Sequence, residues 1–165
     1  MNYSQIRKMD ISDGPGCRVA IYFSGCDLYC KGCHNYTIWD FNSGKEFTDE
    51  TISKIIELAK PDYIVGLSIL GGEPLHDKNI DGTLRLIEKF KEVYPNKTVW
   101  VWTGYLLEDV INKIKDSSID VLIDGKFDIG LFDPKLRYKG SSNQRVIDFK
   151  ATIKNKKFKP VLYTK

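Results

Sequence analysis

Three cysteines stand within eight residues, Cys26, Cys30 and Cys33, in the spacing C-x3-C-x2-C. Three thiolates on one short loop are close enough to ligate three corners of a single iron–sulfur cube, which ordinarily takes four cysteines. One iron then keeps an open coordination position, the mark of a reactive metal site. Such an iron can accept the amino and carboxylate groups of a methionine moiety, which sets the adjoining sulfonium beside an electron source. Structural zinc is the alternative, with Cys17 or His34 as fourth ligand. Extended backbone from Arg18 to Ser24, at about 3.3 Å per residue, would carry Cys17 about 23 Å from the loop. His34 directly follows Cys33, so the two cannot easily point at one tetrahedral ion. A thioredoxin-like use of Cys30-Lys31-Gly32-Cys33 leaves Cys26 without a role. Cys17 reads as a buried small hydrophobe.

Hydrophobic spacing outlines the elements that must hold this loop. Arg18 to Ser24 (RVAIYFS) is rich in strand formers and stops at Gly25, so the cysteines follow a strand directly. Thr48 can cap a helix with Asp49 and Glu50 in its first turn, an apolar stripe of Ile52, Ile55, Ile56 and Ala59, and a stop at Pro61. A second strand, Ile64 to Leu70, runs into Gly71-Gly72-Glu73-Pro74. Leu84, Ile87, Phe90 and Val93 then keep near-helical spacing until Pro95. Thr98 to Trp102 reads as a third strand. Leu106 to Ile114 reads as a helix with Leu107, Val110, Ile111 and Ile114 inward, and Ile119 to Ile123 as a fourth strand broken by Asp124-Gly125. Strands alternating with helices predict right-handed βαβ units, a mostly parallel sheet, and ligands at the carboxyl ends of the strands.

Composition narrows the class. The 165 residues fit one domain with its own core; 42% hydrophobic and 28% charged residues are neither a disordered nor a collagen-like mixture. A net charge of +3 does not imply nucleic acid. MNYSQIRKMDISDGPG offers neither an apolar signal core nor a run that could span a bilayer, which predicts a cytoplasmic protein without a membrane partner. In a reducing compartment, four cysteines suit metal, cluster or redox chemistry better than disulfides. No internal repeat is visible, and only Lys154 to Lys159 is compositionally biased, so the division is a domain over 1–153 and a basic tail over 154–165.

FSGCDLYCKGCHN resembles the cluster motif of the glycyl-radical-enzyme activases within the radical S-adenosylmethionine superfamily, and DGPGCR upstream and TIWD downstream resemble the same group. GGEPLH, VWTGY, LIDGKF and KGSSNQR resemble the activating proteins of anaerobic (class III) ribonucleoside-triphosphate reductases, so the likeness runs from about Met1 to Arg145. Activases of pyruvate formate-lyase share the DGPG and CHN elements but are typically much longer chains. Length and the SSNQR segment favour the reductase group. The resemblance implies a [4Fe-4S] cluster on Cys26, Cys30 and Cys33, S-adenosylmethionine as cofactor, and an α/β fold in the form of a shortened, open partial (β/α) barrel. Four to six strands are all that the length permits, against the eight of the closed form of about 250 residues. It also implies two partners: the large catalytic subunit of the reductase, whose glycine would lose a hydrogen, and an electron donor, reduced flavodoxin or a similar carrier.

Each further site residue has a functional and a plain reading. Adjacent glycines at a strand end let backbone approach a ligand, and Gly71-Gly72-Glu73-Pro74 resembles the superfamily segment whose main chain holds the methionine amino group; a strand-to-helix turn is the alternative. Lys126 resembles the activase lysine that meets the cofactor carboxylate, or is a solvated residue after a turn. Gly32, Cys33 and His34 belong to the cofactor-binding part of the loop, although an aromatic residue commonly stands where Gly32 does; Tyr29 or His34 can substitute in packing near the adenine. Thr103 and Gly104, at the end of a strand, are site candidates, whereas Trp100, Trp102 and Tyr105 read as core. Asn35 shapes the exit of the cysteine loop. A radical reaction requires no general base, so His34 and His76 receive no catalytic role. Lys154, Lys156, Lys157 and Lys159 either dock an acidic partner or form a solvated tail. Lys139 to Arg145 either contacts the reductase or is a hydrogen-bonded turn. A zinc-binding interaction module and a radical enzyme acting on a small molecule remain the alternative functions.

Overall fold

The computed structural model describes residues 1–165. In chain order its elements are β1 (Asn2–Asp10), β2 (Cys17–Phe23), β3 (Lys45–Glu46), α1 (Asp49–Leu58), β4 (Ile64–Gly71), α2 (Ile80–Val93), β5 (Thr98–Trp102), α3 (Leu107–Ile114), β6 (Val121–Asp124), β7 (Arg145–Asp148) and α4 (Phe149–Ile153). One seven-stranded sheet results, ordered β3-β1-β2-β4-β5-β6-β7. β2, β4, β5 and β6 are parallel neighbours joined by α1, α2 and α3, which are the βαβ units read from the spacing. The other three pairings are antiparallel, β1 on β2, β3 on β1 and β7 on β6. The end strands do not meet, so the sheet is not closed.

Seven strands exceed the four to six expected. β1 was invisible to hydrophobic patterning because polar and charged residues fill most of it and only Asp10 of its nine residues is fully buried. β7 is four residues long and β3 two, too short for periodicity. The fourth expected strand also shifts, to Val121–Asp124. Asp120 lies just before it, and its carboxylate accepts the Val99 amide at 2.7 Å.

The period of two sorts each central strand into two faces. Val19, Ile21 and Phe23 of β2, Leu67 and Ile69 of β4, Val99 and Val101 of β5, and Leu122 of β6 join the apolar faces of α1, α2 and α3 in one core. The intervening residues, Ala20, Tyr22, Leu70, Trp100, Trp102, Val121 and Ile123, face away from those helices. Loops rather than helices cover this second face. Arg18 also lies wholly buried, donating to Ser68 Oγ (2.8 Å), Thr98 Oγ1 (3.0 Å) and the carbonyls of Leu67 and Thr98 (3.0 and 2.9 Å). Burial without a contacting carboxylate pulls its guanidinium down to about 10. Cys17, expected to be buried, is half-buried at the margin of the core.

The chain end returns to the sheet after the lysine run. Asp148 N donates to Val161 O (2.8 Å), Tyr163 N donates to Val146 O (2.9 Å), and the Tyr163 ring meets Trp100 edge-on at 5.0 Å. No helix is long and apolar enough to cross a membrane.

Candidate functional site

The loops after β2, β4, β5 and β6 surround one cavity of about 410 Å3 on the face that the helices leave free. Cys26, Cys30, Cys33 and His34 reach it from the cysteine loop, Gly71, Gly72 and Glu73 from the end of β4, and Thr103 and Gly104 from the end of β5. Carboxyl ends of parallel strands are where such a fold binds ligands.

The cysteine loop is fixed by its own backbone and by the next loop. Gly25 N and Cys26 N donate to Ile38 O (2.8 Å) and Trp39 O (3.0 Å), and Cys33 N to Cys30 O (3.1 Å). Asn35, read as shaping the exit, does so with two bonds: its amide N donates to Cys33 Sγ (3.4 Å) and its side chain to Gly71 O (2.9 Å). Gly72 and Gly25 come so close that a Cβ on Gly72 would stand 2.4 Å from Gly25 O, and Glu73 N donates to the same carbonyl at 2.8 Å. Glycine is required there by contact with the neighbouring loop.

Cys26 is buried, while Cys30 and Cys33 are half-buried. Burial pushes the Cys26 thiol up to about 11, with Glu73, Cys30 and Cys33 acting in the same direction. Burial also raises Cys30, opposed by the charge of nearby Lys126. No three His, Cys, Asp or Glu side chains converge as the ligand set of a single ion. Zinc would need four ligands about 2.0–2.3 Å from one centre. Cys17 lies at the far end of β2, and the His34 ring stands near Phe127 and Phe132, with centroids 6.1 and 6.0 Å away. The three thiols line one cavity, and three thiolates are the donor set that a cube with one open iron would take.

Glu73 ties three loops together. Its Oε1 accepts from Thr103 Oγ1 (2.6 Å) and Leu75 N (3.0 Å), and its Oε2 from Gly104 N (2.7 Å). Burial outweighs these donors and pushes the carboxyl up to about 7. The Thr103 hydroxyl is therefore committed to Glu73. Three expected site residues stand apart from the cavity wall. Gly32 (φ +76°) packs on Ile129, whose Cδ1 would lie 2.8 Å from an added Cβ. Pro74 is buried and its carbonyl accepts Thr83 Oγ1 at 2.8 Å. Lys126 is exposed, between the cavity residues Gly125 and Phe127. Tyr29, a candidate to replace the missing aromatic, instead meets Trp39 edge-on at 5.1 Å.

Several lining residues escaped the sequence reading, among them Asp13, Trp102 and Tyr138. The alternation of β5 contained the signal for Trp102, since Val99 and Val101 claim the opposite face. Asp13 is oriented by Tyr22, whose hydroxyl donates to Oδ2 at 2.5 Å. The KGSSNQR segment is a hydrogen-bonded brace. Gln144 accepts from Gly140 N (2.9 Å) and Ser141 N (3.1 Å) and donates to Gly125 O (3.0 Å); Asn143 donates to Lys126 O (2.8 Å). Arg145 reaches Asp124 (2.9 and 2.5 Å) and Glu108 (3.1 and 2.8 Å). Asn143, Gln144 and Arg145 thus tie the segment to residues 124–126.

The family model described as a 4Fe-4S single cluster domain matches residues 12–147, most of the chain, and sets it among the iron–sulfur proteins. The chain is 41% identical over 157 residues to a Vibrio cholerae protein named anaerobic ribonucleoside-triphosphate reductase-activating protein, covering 90% of this chain and 99% of the relative. Proteins of the same name from Escherichia coli (42% over 151 residues, 88% and 97% covered) and Haemophilus influenzae (40% over 154 residues, 91% and 99% covered) match equally broadly. The chain belongs to this family of reductase-activating proteins.

Proposed function

We propose that the protein activates an anaerobic ribonucleoside-triphosphate reductase in the cytoplasm, and that its open sheet is a partial (β/α) barrel of the radical S-adenosylmethionine type. The observation that carries this is that Cys26, Cys30 and Cys33 all line one cavity, in a chain about 40% identical to named activating proteins. The chemistry supplied by a bound [4Fe-4S] cluster and S-adenosylmethionine is one-electron cleavage to methionine and a 5′-deoxyadenosyl radical, which takes a hydrogen from a glycine of the reductase's large catalytic subunit.

The chain's own residues bind and orient. Cys26, Cys30 and Cys33 would hold the cluster through three of its irons. The backbone at Gly71, Gly72 and Glu73 would receive the methionine amino group, with Pro74 closing the turn behind them, and Glu73, anchored on Thr103 and Gly104, holds that turn against the neighbouring loop. Lys126 would supply a cation for the cofactor carboxylate, its backbone anchored by the bond from Asn143 to its carbonyl. With Gly32 in place of an aromatic, His34 beside Phe127 and Phe132 offers the apolar surface for the adenine. Residues 1–153 form the activase domain and 154–165 the basic tail, and reduced flavodoxin or a similar carrier provides the electron.

Anaerobic reconstitution with iron and sulfide, followed by dithionite and S-adenosylmethionine, tests the assignment. A brown protein that forms 5′-deoxyadenosine, and a glycyl radical signal only when the reductase is present, is the expected result. Alanine at Cys26, Cys30 or Cys33 should abolish both, while Cys17→Ala retains them. A colourless protein holding zinc would overturn the reading, as would loss of the cluster in Cys17→Ala.

A further inference from the structure

His76 closes the GGEPLH segment and has no part in the cofactor binding described above, yet both of its ring nitrogens are engaged. Nδ1 accepts the Lys78 amide at 3.1 Å, so the proton of the neutral ring sits on Nε2, 3.0 Å from Asp27 Oδ2. Phe41 packs on the imidazole, centroids 4.5 Å apart, and also fills the space beside Gly25, where a Cβ would stand 2.0 Å from its Cδ1. The ring is therefore held at three points. Asp27 directly follows Cys26 in a stretch that is otherwise held by backbone bonds at Gly25 and Cys26, and His76 is the sole hydrogen-bond partner of its carboxylate.

We propose that His76 is a positioning residue: through Asp27 it fixes the Cys26 end of the cluster loop against the turn that begins α2, holding the first thiol in place for iron. The inference rests on the cluster assignment above. Residues one shell outside a metal site govern how its ligands are aimed, and their loss commonly weakens metal retention by about 10–100-fold.

Asparagine and glutamine separate the roles of the two ring nitrogens. Asn places an acceptor near Nδ1 and cannot reach Asp27, so His76→Asn keeps the Lys78 bond and loses the link. Gln places a donor near Nε2, so His76→Gln keeps the link. Two readouts apply: amide hydrogen exchange over residues 25–30 in the metal-free protein, and chelator-driven iron release from the reconstituted protein. His76→Asn and Asp27→Ala should both speed exchange there and release iron about tenfold faster, with His76→Gln within about twofold of wild type. The opposite order, with Asn like wild type and Gln impaired, would assign His76 to the α2 turn alone. Faster exchange spread evenly through α2 would likewise overturn the proposal. Failure of the wild-type chain to bind iron would remove the cluster assignment, and the exchange comparison would still decide the Asp27–His76 link.

Discussion

Replacing Arg145 by alanine tests whether the KGSSNQR segment braces the site or touches a partner. Arg145 makes two bonds to Asp124, whose side chain is 0% exposed, and two to Glu108, which is 55% exposed. The exposed pair is worth at most about 1 kcal/mol. The buried one matters more, because removing one partner strands a charge at a typical cost of about 3–5 kcal/mol. Arg145 itself is 30% exposed and water can partly replace it, which brings the expected loss to about 2–4 kcal/mol. Urea denaturation of the metal-free protein, with an unchanged m value, measures it. Arg145→Lys should recover only part, since one ammonium cannot bridge both carboxylates as the guanidinium fork does. Asp124→Asn combined with Arg145→Ala should lose less than Arg145→Ala alone, because no unpaired buried charge remains. Cofactor cleavage should fall together with reductase activation, since the loop carrying Lys126 loosens in both assays. A loss below about 0.5 kcal/mol, ordinary for a surface residue, would refute the brace, and intact cleavage with failed activation would restore the docking role.

Lys126→Ala should weaken S-adenosylmethionine binding about tenfold, the size of a lost charge-assisted hydrogen bond, while cluster content stays normal. Equilibrium binding beside iron analysis checks both. Because folding raises Glu73 from 4.5 to about 7, its contribution to stability is complete below pH 4.5 and is lost as pH rises through 7. Glu73→Gln should flatten that slope in urea titrations, and an unaltered slope would place the responsible proton elsewhere. Arg18→Met should cost about 3 kcal/mol or more by stranding buried acceptors on β4 and β5, a value that equilibrium unfolding would contradict if it stayed near zero.

Spacing and periodicity exposed the parallel centre of the molecule because β2, β4, β5 and β6 are apolar on both faces and end in glycine-bearing loops. Periodicity failed where a strand is mostly polar and one-sided, as in β1, or too short, as in β3 and β7; tertiary pairing makes those strands. The cysteine loop and the double glycine were legible in type and spacing. What each polar group touches was not, since that depends on residues far apart in the chain: Thr103 meets Glu73 across 30 positions and Asn35 meets Gly71 across 36. The same holds for Arg145, whose partners Glu108 and Asp124 lie 37 and 21 residues upstream.

The unclosed sheet has two rims, each a template on which a stray strand can build. Both are blunted. On one side the two charged residues of β3, Lys45 and Glu46, cover only Asn2 and Tyr3 of β1, and the rest of that edge carries the charges of Arg7, Lys8 and Asp10, which discourage a neighbour. On the other, residues 161–163 occupy β7's outward-facing backbone groups. The chain can thus leave its sheet open around the cavity without inviting fibrous self-association, and shortening the C-terminus past Val161 would uncover the β7 rim as a new template.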